Sequence, residues 1–269
     1  MISASSISEF LYCPLKAYLK YVQGYEISNE TYLIGKLTHE LFRGFNEITI
    51  RNLWSLDPTM TLNEISSQLW DDVPSLIKKI IYKKDYRDII DGETVKEIYE
   101  TLEDQFKLDA FQLVFKSRKM LNMGMSGDEI ADILFPPAMV EFWMESRSLG
   151  LRGKVDRIEI EDGAYFPVKI ITGTPPVKGV WKSHAMQLVA YAILMEETFQ
   201  KEIRVGFVDY VLVGERKPVM ISQEMREEFY NTFNEMESMM LEGYVPEATP
   251  SGKKCKKCEY REFCEYGDG

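Results

Sequence analysis

The sequence predicts an α/β fold in which a central mixed sheet is flanked by helices. Three observations lead there. Short runs rich in β-branched and aromatic residues crowd residues 139–173 and return at 203–223. A helical stretch at 182–199 separates them, and a long charge-rich helical region precedes them. Strands, then a helix, then a further buried strand is the pattern of a sheet with a crossover helix packed on it.

The elements follow in order. Residues 5–48 read as two helices, with Ser5 and Ser8 as candidate N-caps and Phe10, Cys13, Ala17 and Tyr21 at helical spacing in the first. The second carries Leu33, Leu37, Leu41 and Phe45 on one stripe. Residues 61–134 are helical and charge-rich, with Pro74 placed to break or kink the chain. We read a single domain over 1–269 with a helical insert at 50–134. MVEFWMESRSLGLRGKVDRIEI and AYFPVKIITG give three consecutive strands joined by glycine-containing turns. KSHAMQLVAYAILMEETF is an amphipathic helix, and IRVGFVDYVLVG, nearly all apolar, is a strand buried on both faces. After a turn at Gly214, KPVMISQ adds a strand, and the last long helix stops at Gly243.

At 269 residues and 45% hydrophobic, the chain is long enough to bury a sizeable core. It has no run of eighteen apolar residues, and its start lacks the basic-then-apolar layout of a secretory signal, so a soluble cytoplasmic protein with no membrane partner is expected. A net charge of −11 argues against coating nucleic acid with the whole surface, while leaving room for a local basic groove. The lysines at Lys253, Lys254, Lys256 and Lys257, and at Lys178 and Lys182, read as solvated faces. Trp143, Trp181, Tyr12, Tyr18, Tyr21 and Tyr25 read as packing groups.

All four cysteines fit one site. Cys255, Cys258 and Cys264 form C-x2-C-x5-C near one end, and Cys13 stands near the other. Disulfides are not expected in the cytosol, so the reading is metal ligation, with flanking lysines favouring the thiolates. Zinc and iron–sulfur both remain open on spacing, although a four-cysteine zinc site more often uses two C-x2-C knuckles and only one is present.

A second constellation runs from Gly153 to Tyr191. GKVDRIEI places Asp156 in a strand, PVKIITG follows on the next, and Gln187 and Tyr191 share a helix face at i and i+4. His39, in GKLTHELF, lies off the leucine stripe, with Gly35 one turn away.

In order, SEFLYCPLKAYL, GKLTH, GKVD, PVKIITG, QLVAY and the terminal C-x2-C-x5-C resemble the CRISPR-associated Cas-four-type nucleases, RecB-like members of the PD-(D/E)xK superfamily. The likeness covers both ends and residues 139–199 and leaves 50–134 without support. It implies a restriction-endonuclease-like sheet, and a [4Fe-4S] cluster on Cys13, Cys255, Cys258 and Cys264 that joins the segment at 250–269 to Cys13. It further implies a Mg2+- or Mn2+-dependent DNA nuclease centre, with a CRISPR integrase as partner. His39 and Asp156 would match metal ligands, and Gln187 and Tyr191 the Q-x3-Y helix that supports the site and contacts DNA.

One motif departs. Where the family has an acidic residue, a spacer and a lysine, this chain has Lys169, Ile170 and Ile171. An ammonium in place of a metal-binding carboxylate changes the local charge by about two units, and the lysine that would polarise the attacking water is lost. Glu141, Glu145, Glu159 and Glu161 are acids near enough in sequence to substitute, with Glu159 on the opposite strand face from Asp156. Three functions follow. The first is an iron–sulfur protein that binds DNA ends or single strands in CRISPR adaptation, with an impaired nuclease centre. The second is an active nuclease with a rearranged metal site. The third is an iron–sulfur protein with a redox or protein-docking role and no nucleic-acid substrate.

Overall fold

A computed structural model describes residues 1–27, 30–83, 86, 91–135, 138–256 and 258–265. The chain divides into two compact units: Met1–Ser28, Ala138–Val211 and Glu215–Gly269 form the first, and Asn29–Pro137 with Leu212–Gly214 the second.

The first unit holds a mixed six-stranded sheet. Its strands are β1 (Ile2–Ser3), β2 (Ala138–Ser146), β3 (Leu151–Glu161), β4 (Ala164–Ile171), β5 (Val205–Tyr210) and β6 (Glu215–Met220). The order is β1-β3-β4-β5-β6, with β2 also paired to β3. β2 and β4 run antiparallel to β3, β5 runs parallel to β4, and β6 runs antiparallel to β5. The β4–β5 pair is parallel, so a crossover must join it. The helix Lys182–Phe199 does so, with the bounds its sequence predicts, and packs over β2, β3, β4 and β5.

That helix is not amphipathic. Every residue from Ala185 to Met195 is buried, because the sheet lies on one side of it and the helices Ala4–Tyr12 and Gln223–Glu242 touch it as well. β5 also departs from expectation: its burial alternates instead of being complete on both faces. Phe207 and Asp209 are half-buried, and Asp209 meets Arg157 at 2.6 Å on the face that also carries Glu159 and Arg216.

The N-terminal segment contains one helix more than predicted. α1 (Ala4–Tyr12) is capped by Ser3, through a reciprocal box with Ser6, and not by Ser5 or Ser8. It stops at Cys13, which is extended at φ −161° and ψ 114°, and α2 (Pro14–Tyr21) starts on the proline. Proline disfavours the helical conformation at the residue before it and suits the first helical position, so it turns one predicted helix into two and leaves Cys13 at the joint.

The second unit is helical throughout its described elements: α3 (Glu30–Trp54), α4 (Leu62–Trp70), α5 (Val73–Ile81), α6 (Gly92–Asn122) and α7 (Gly127–Leu134). It takes in α3 as well as the stretch 50–134. Leu33, Leu37, Leu41 and Phe45 are buried, as their stripe predicts. The break at Pro74 is real: α4 ends before it, and α5 carries the proline in its first turn. The crossover helix is α8 and Gln223–Glu242 is α9; α9 is capped by Ser222 and ends at Gly243 in a left-handed turn. A short helix α10 (Gly252–Lys256) leads into the last cysteines. Lys257 lies outside the described residues, as does the Lys253 side chain. No helix among the described residues is long and apolar enough to cross a membrane.

Candidate functional site

The site grows out of the place where β3 and β4 part. Their ladder runs from Glu161↔Ala164 to Arg157↔Val168, and the next pair in register is Asp156 opposite Lys169. The burial alternation of β3 slips here, because Leu151, Gly153 and Val155 are buried at odd positions and Ile158 at an even one. Across β2 the ladder skips the position facing Asp156, where Glu141 adopts φ 52°. Left-handed backbone at a residue other than glycine stores strain and is concentrated at functional sites.

One oxygen of Asp156, Oδ2, meets two donors. The Lys169 ammonium lies 2.9 Å away, and the Ile170 backbone N–H donates at 2.8 Å. Both side chains are largely enclosed, at 14% and 15% exposure. Burial works against the Lys169 charge, but the adjacent carboxylate outweighs it and holds the ammonium's pKa above its ordinary value. The ammonium is therefore spent on Asp156 and is not presented to a phosphate.

α8 supplies the next layer. Gln187 donates from Nε2 to the Tyr191 hydroxyl at 2.7 Å, and both are buried. Burial pushes the Tyr191 pKa up to about 12, against the pull of Lys169. Gly153 of GKVD explains how this helix comes so close. A Cβ there would meet Leu194 at 3.1 Å, Ala4 at 3.2 Å and the Tyr191 ring at 3.3 Å, so a larger residue would have to push these side chains back for α8 to stay as close to β3.

Sequence reasoning missed His184, one turn before Gln187 on the same helix. Its Nδ1 lies 3.1 Å from the Tyr210 hydroxyl, and burial, helped by the positive charge of Lys169, depresses its pKa to about 4. The i, i+3 spacing to Gln187 is the signal that would have found it.

The candidate replacement acids do not gather at Asp156. Glu159 pairs with Arg157 at 3.0 Å and with Arg216. Glu145 is exposed beside Arg147, and Glu161 is exposed at the strand end. Glu141 pairs with Lys154 at 2.9 Å and is about half exposed. His39 stands on α3 of the second unit, half-buried. Among the described residues no three His, Cys, Asp or Glu side chains are grouped to hold a metal ion.

The cysteines form a separate place in the first unit. Cys13, Cys255, Cys258 and Cys264 are free thiols, each half-buried, and all four line one cavity of about 30 Å³. The joint at Pro14 brings Cys13 there, and α10 and the turn after it bring the others. The Ser251 N–H points at Cys255 Sγ at 3.4 Å. Burial, with Glu259 and Cys13 adding to it, holds the Cys258 thiol's pKa above its ordinary value against the pull of the Tyr260 backbone N–H and Lys16. Four thiols with N–H donors and a nearby ammonium are a donor set that suits a thiolate-held group.

Two aromatic expectations fail. Trp143 and Trp181 are 56% and 50% exposed and do not pack in the core. The Trp181 indole donates to the Thr174 carbonyl at 2.9 Å, which fixes the ring on the surface at the start of α8. Tyr18 is buried as expected, and Tyr25, 40% exposed, stacks on Phe263.

The comparisons with known proteins agree with this architecture. A CRISPR-associated exonuclease Cas4 from Francisella tularensis subsp. novicida is 28% identical over 123 residues, covering 45% of this chain and 59% of the relative. A CRISPR-associated exonuclease Cas4/endonuclease Cas1 fusion from Leptospira interrogans is 26% identical over 127 residues, covering 46% of this chain and 24% of the relative. A Cas4 exonuclease from Thermoproteus tenax is 21% identical over 116 residues, covering 43% and 60%. The chain thus spans less than two thirds of each of these relatives. The family model of the PD-(D/E)XK nuclease superfamily matches residues 1–265. With that match over nearly its whole length and a mixed sheet flanked by helices, the chain belongs to the PD-(D/E)XK nuclease superfamily.

Proposed function

We propose that this chain is a Cas4-like, iron–sulfur-carrying DNA-binding protein of CRISPR adaptation whose nuclease centre is impaired. The observation that carries the reading is the 2.9 Å ion pair between Lys169 and Asp156. A metal-dependent nuclease of this superfamily needs a hard cation between carboxylates. Here an ammonium pairs with the Asp156 carboxylate at the place where β3 and β4 part. His39 matches the remaining metal-binding position of the family by sequence, and Gln187 and Tyr191 stay as the helix that supports the site.

Cys13, Cys255, Cys258 and Cys264 are the proposed ligands of a [4Fe-4S] cluster. The four thiols line one cavity, and a four-cysteine zinc site more often uses two C-x2-C knuckles where this chain has one, which supports the cluster. When bound, the cluster would tie the two ends of the chain together. The exposed Trp143 and Trp181 support single-strand binding, because an indole face stacks on any base. The Cas4/Cas1 fusion among the relatives supports docking on a Cas1-type integrase.

The test is a cleavage assay with Mg2+ and with Mn2+ on single-stranded and duplex DNA, run beside a binding titration at low salt. Binding without cutting is expected. Robust cutting that disappears in Asp156→Ala would overturn the impaired reading. Cutting that needs Mn2+ and is lost in Glu141→Ala would instead support a rearranged metal site, since Glu141 faces Asp156 across the skipped rung of β2. For the cluster, anaerobically purified protein should show a broad visible thiolate-to-iron band, and a colourless zinc-loaded protein would overturn that assignment.

A further inference from the structure

The thiol cavity has a cationic side that the cluster assignment alone does not explain. Lys16 and Lys254 both line it. Both approach the Tyr12 ring, with the Lys254 Nζ 4.8 Å and the Lys16 Nζ 5.4 Å from its centre. Each lysine is further fixed: Lys254 donates to the Tyr12 carbonyl at 3.2 Å, where Thr249 also donates at 3.1 Å, and Lys16 pairs with Glu259 at 2.7 Å. Both are partly enclosed, so their charge is screened less than that of a surface lysine. Tyr12 immediately precedes Cys13, and Lys254 immediately precedes Cys255, so each anchor is continuous with a proposed ligand.

A centre ligated by four thiolates is net anionic and gains one further negative charge on one-electron reduction. Positive groups beside it favour the reduced form, as do N–H groups aimed at sulfur such as that of Ser251. We propose that Lys16 and Lys254, braced on Tyr12, act as positioning residues for the cluster: they set its reduction potential and retain it. This rests on the iron–sulfur reading above. Lys16 shares its charge with Glu259 at 2.7 Å, and both ammoniums lie on the wall of the thiol cavity.

The experiment uses the full chain, reconstituted anaerobically with iron and sulfide. Its reduction potential is followed by the visible band and by electron paramagnetic resonance in the wild type, Lys16→Gln, Lys254→Gln and the double variant. Lys256→Gln is the control, since Lys256 is exposed and does not line the cavity. Each neutralising change is expected to shift the reduced-to-oxidised ratio about tenfold toward the oxidised form, a fall of about 59 mV for a one-electron couple. The double variant should shift further and release iron to a chelator faster, while Lys256→Gln stays at the wild-type value. Lys16→Arg and Lys254→Arg keep the charge and should restore the potential, which separates charge from folding. A coloured wild type whose potential is unchanged in the double variant overturns this proposal alone. A wild type that takes up no iron overturns the iron–sulfur reading and this proposal with it.

Discussion

Replacing Lys169 with glutamate should turn the closed pocket into a metal site. A divalent ion on Asp156 would sit roughly 4 Å from the Lys169 ammonium, where a charge product of two amounts to about 8 kcal/mol of repulsion at an effective dielectric of about 20. Lys169→Glu removes that repulsion and substitutes attraction. If about a third survives screening and desolvation, roughly 2.7 kcal/mol, Mn2+ affinity rises about a hundredfold over the wild type. The same change leaves two carboxylates facing each other in chelator, without the cation that Asp156 now has at 2.9 Å. Breaking a largely enclosed pair in this way costs about 3–5 kcal/mol. Lys169→Glu should therefore melt below the wild type in EDTA and recover about 2.7 kcal/mol when Mn2+ reaches a hundred times its Kd. Isothermal titration and thermal melts with and without Mn2+ measure both quantities. A folded Lys169→Glu protein whose melting ignores Mn2+, or a wild type that binds Mn2+ equally well, would show that Lys169 does not keep the metal out. Activity needs the second lost group as well, so measurable cutting is expected only when Ile171→Lys is added.

Three further outcomes are expected. His184 is held neutral with its pKa near 4 against 6.5 in the unfolded chain, so between those values only the unfolded chain takes up its proton. Stability should fall as pH drops through that window, by up to roughly 3 kcal/mol, and the wild-type-minus-His184→Gln difference in urea melts should flatten above pH 6.5; identical slopes would refute the assignment. Gly153→Val should cost about 1–3 kcal/mol by overpacking against Leu194 and the Tyr191 ring, read as a lowered denaturation midpoint with unchanged slope. Trp143→Ala and Trp181→Ala should each weaken single-stranded DNA binding by about 1–3 kcal/mol with little change in melting temperature, since both rings are about half exposed; unchanged anisotropy titrations would remove them from the DNA interface.

The pairing at the centre of the first unit could have been counted from the sequence. Asp162-Gly163 is a two-residue turn with φ 50° and 75°, the geometry that Asp-Gly favours in a tight hairpin, and it sets Glu161 opposite Ala164. Five positions further along each strand stand Asp156 and Lys169. The hairpin register set by the turn therefore puts the ammonium against the carboxylate. The same local chemistry was available at Pro14, which splits the first predicted helix and exposes Cys13 at the joint. His184 was legible too, by its spacing from Gln187. Other features were not. The slip in β3 alternation at Asp156–Arg157 and the left-handed Glu141 opposite it leave no mark in the sequence pattern. The burial of α8 on every side depends on α1 and α9, which join it from distant parts of the chain. Hydrophobic period reports only how many faces of an element are covered, not by which partners, so an all-round apolar stretch at 185–195 reads as a strong helix without revealing that Tyr191 lies under Gly153. Turn chemistry therefore fixed the polar pair, and packing between elements far apart in the chain fixed the enclosure that gives this pair its weight.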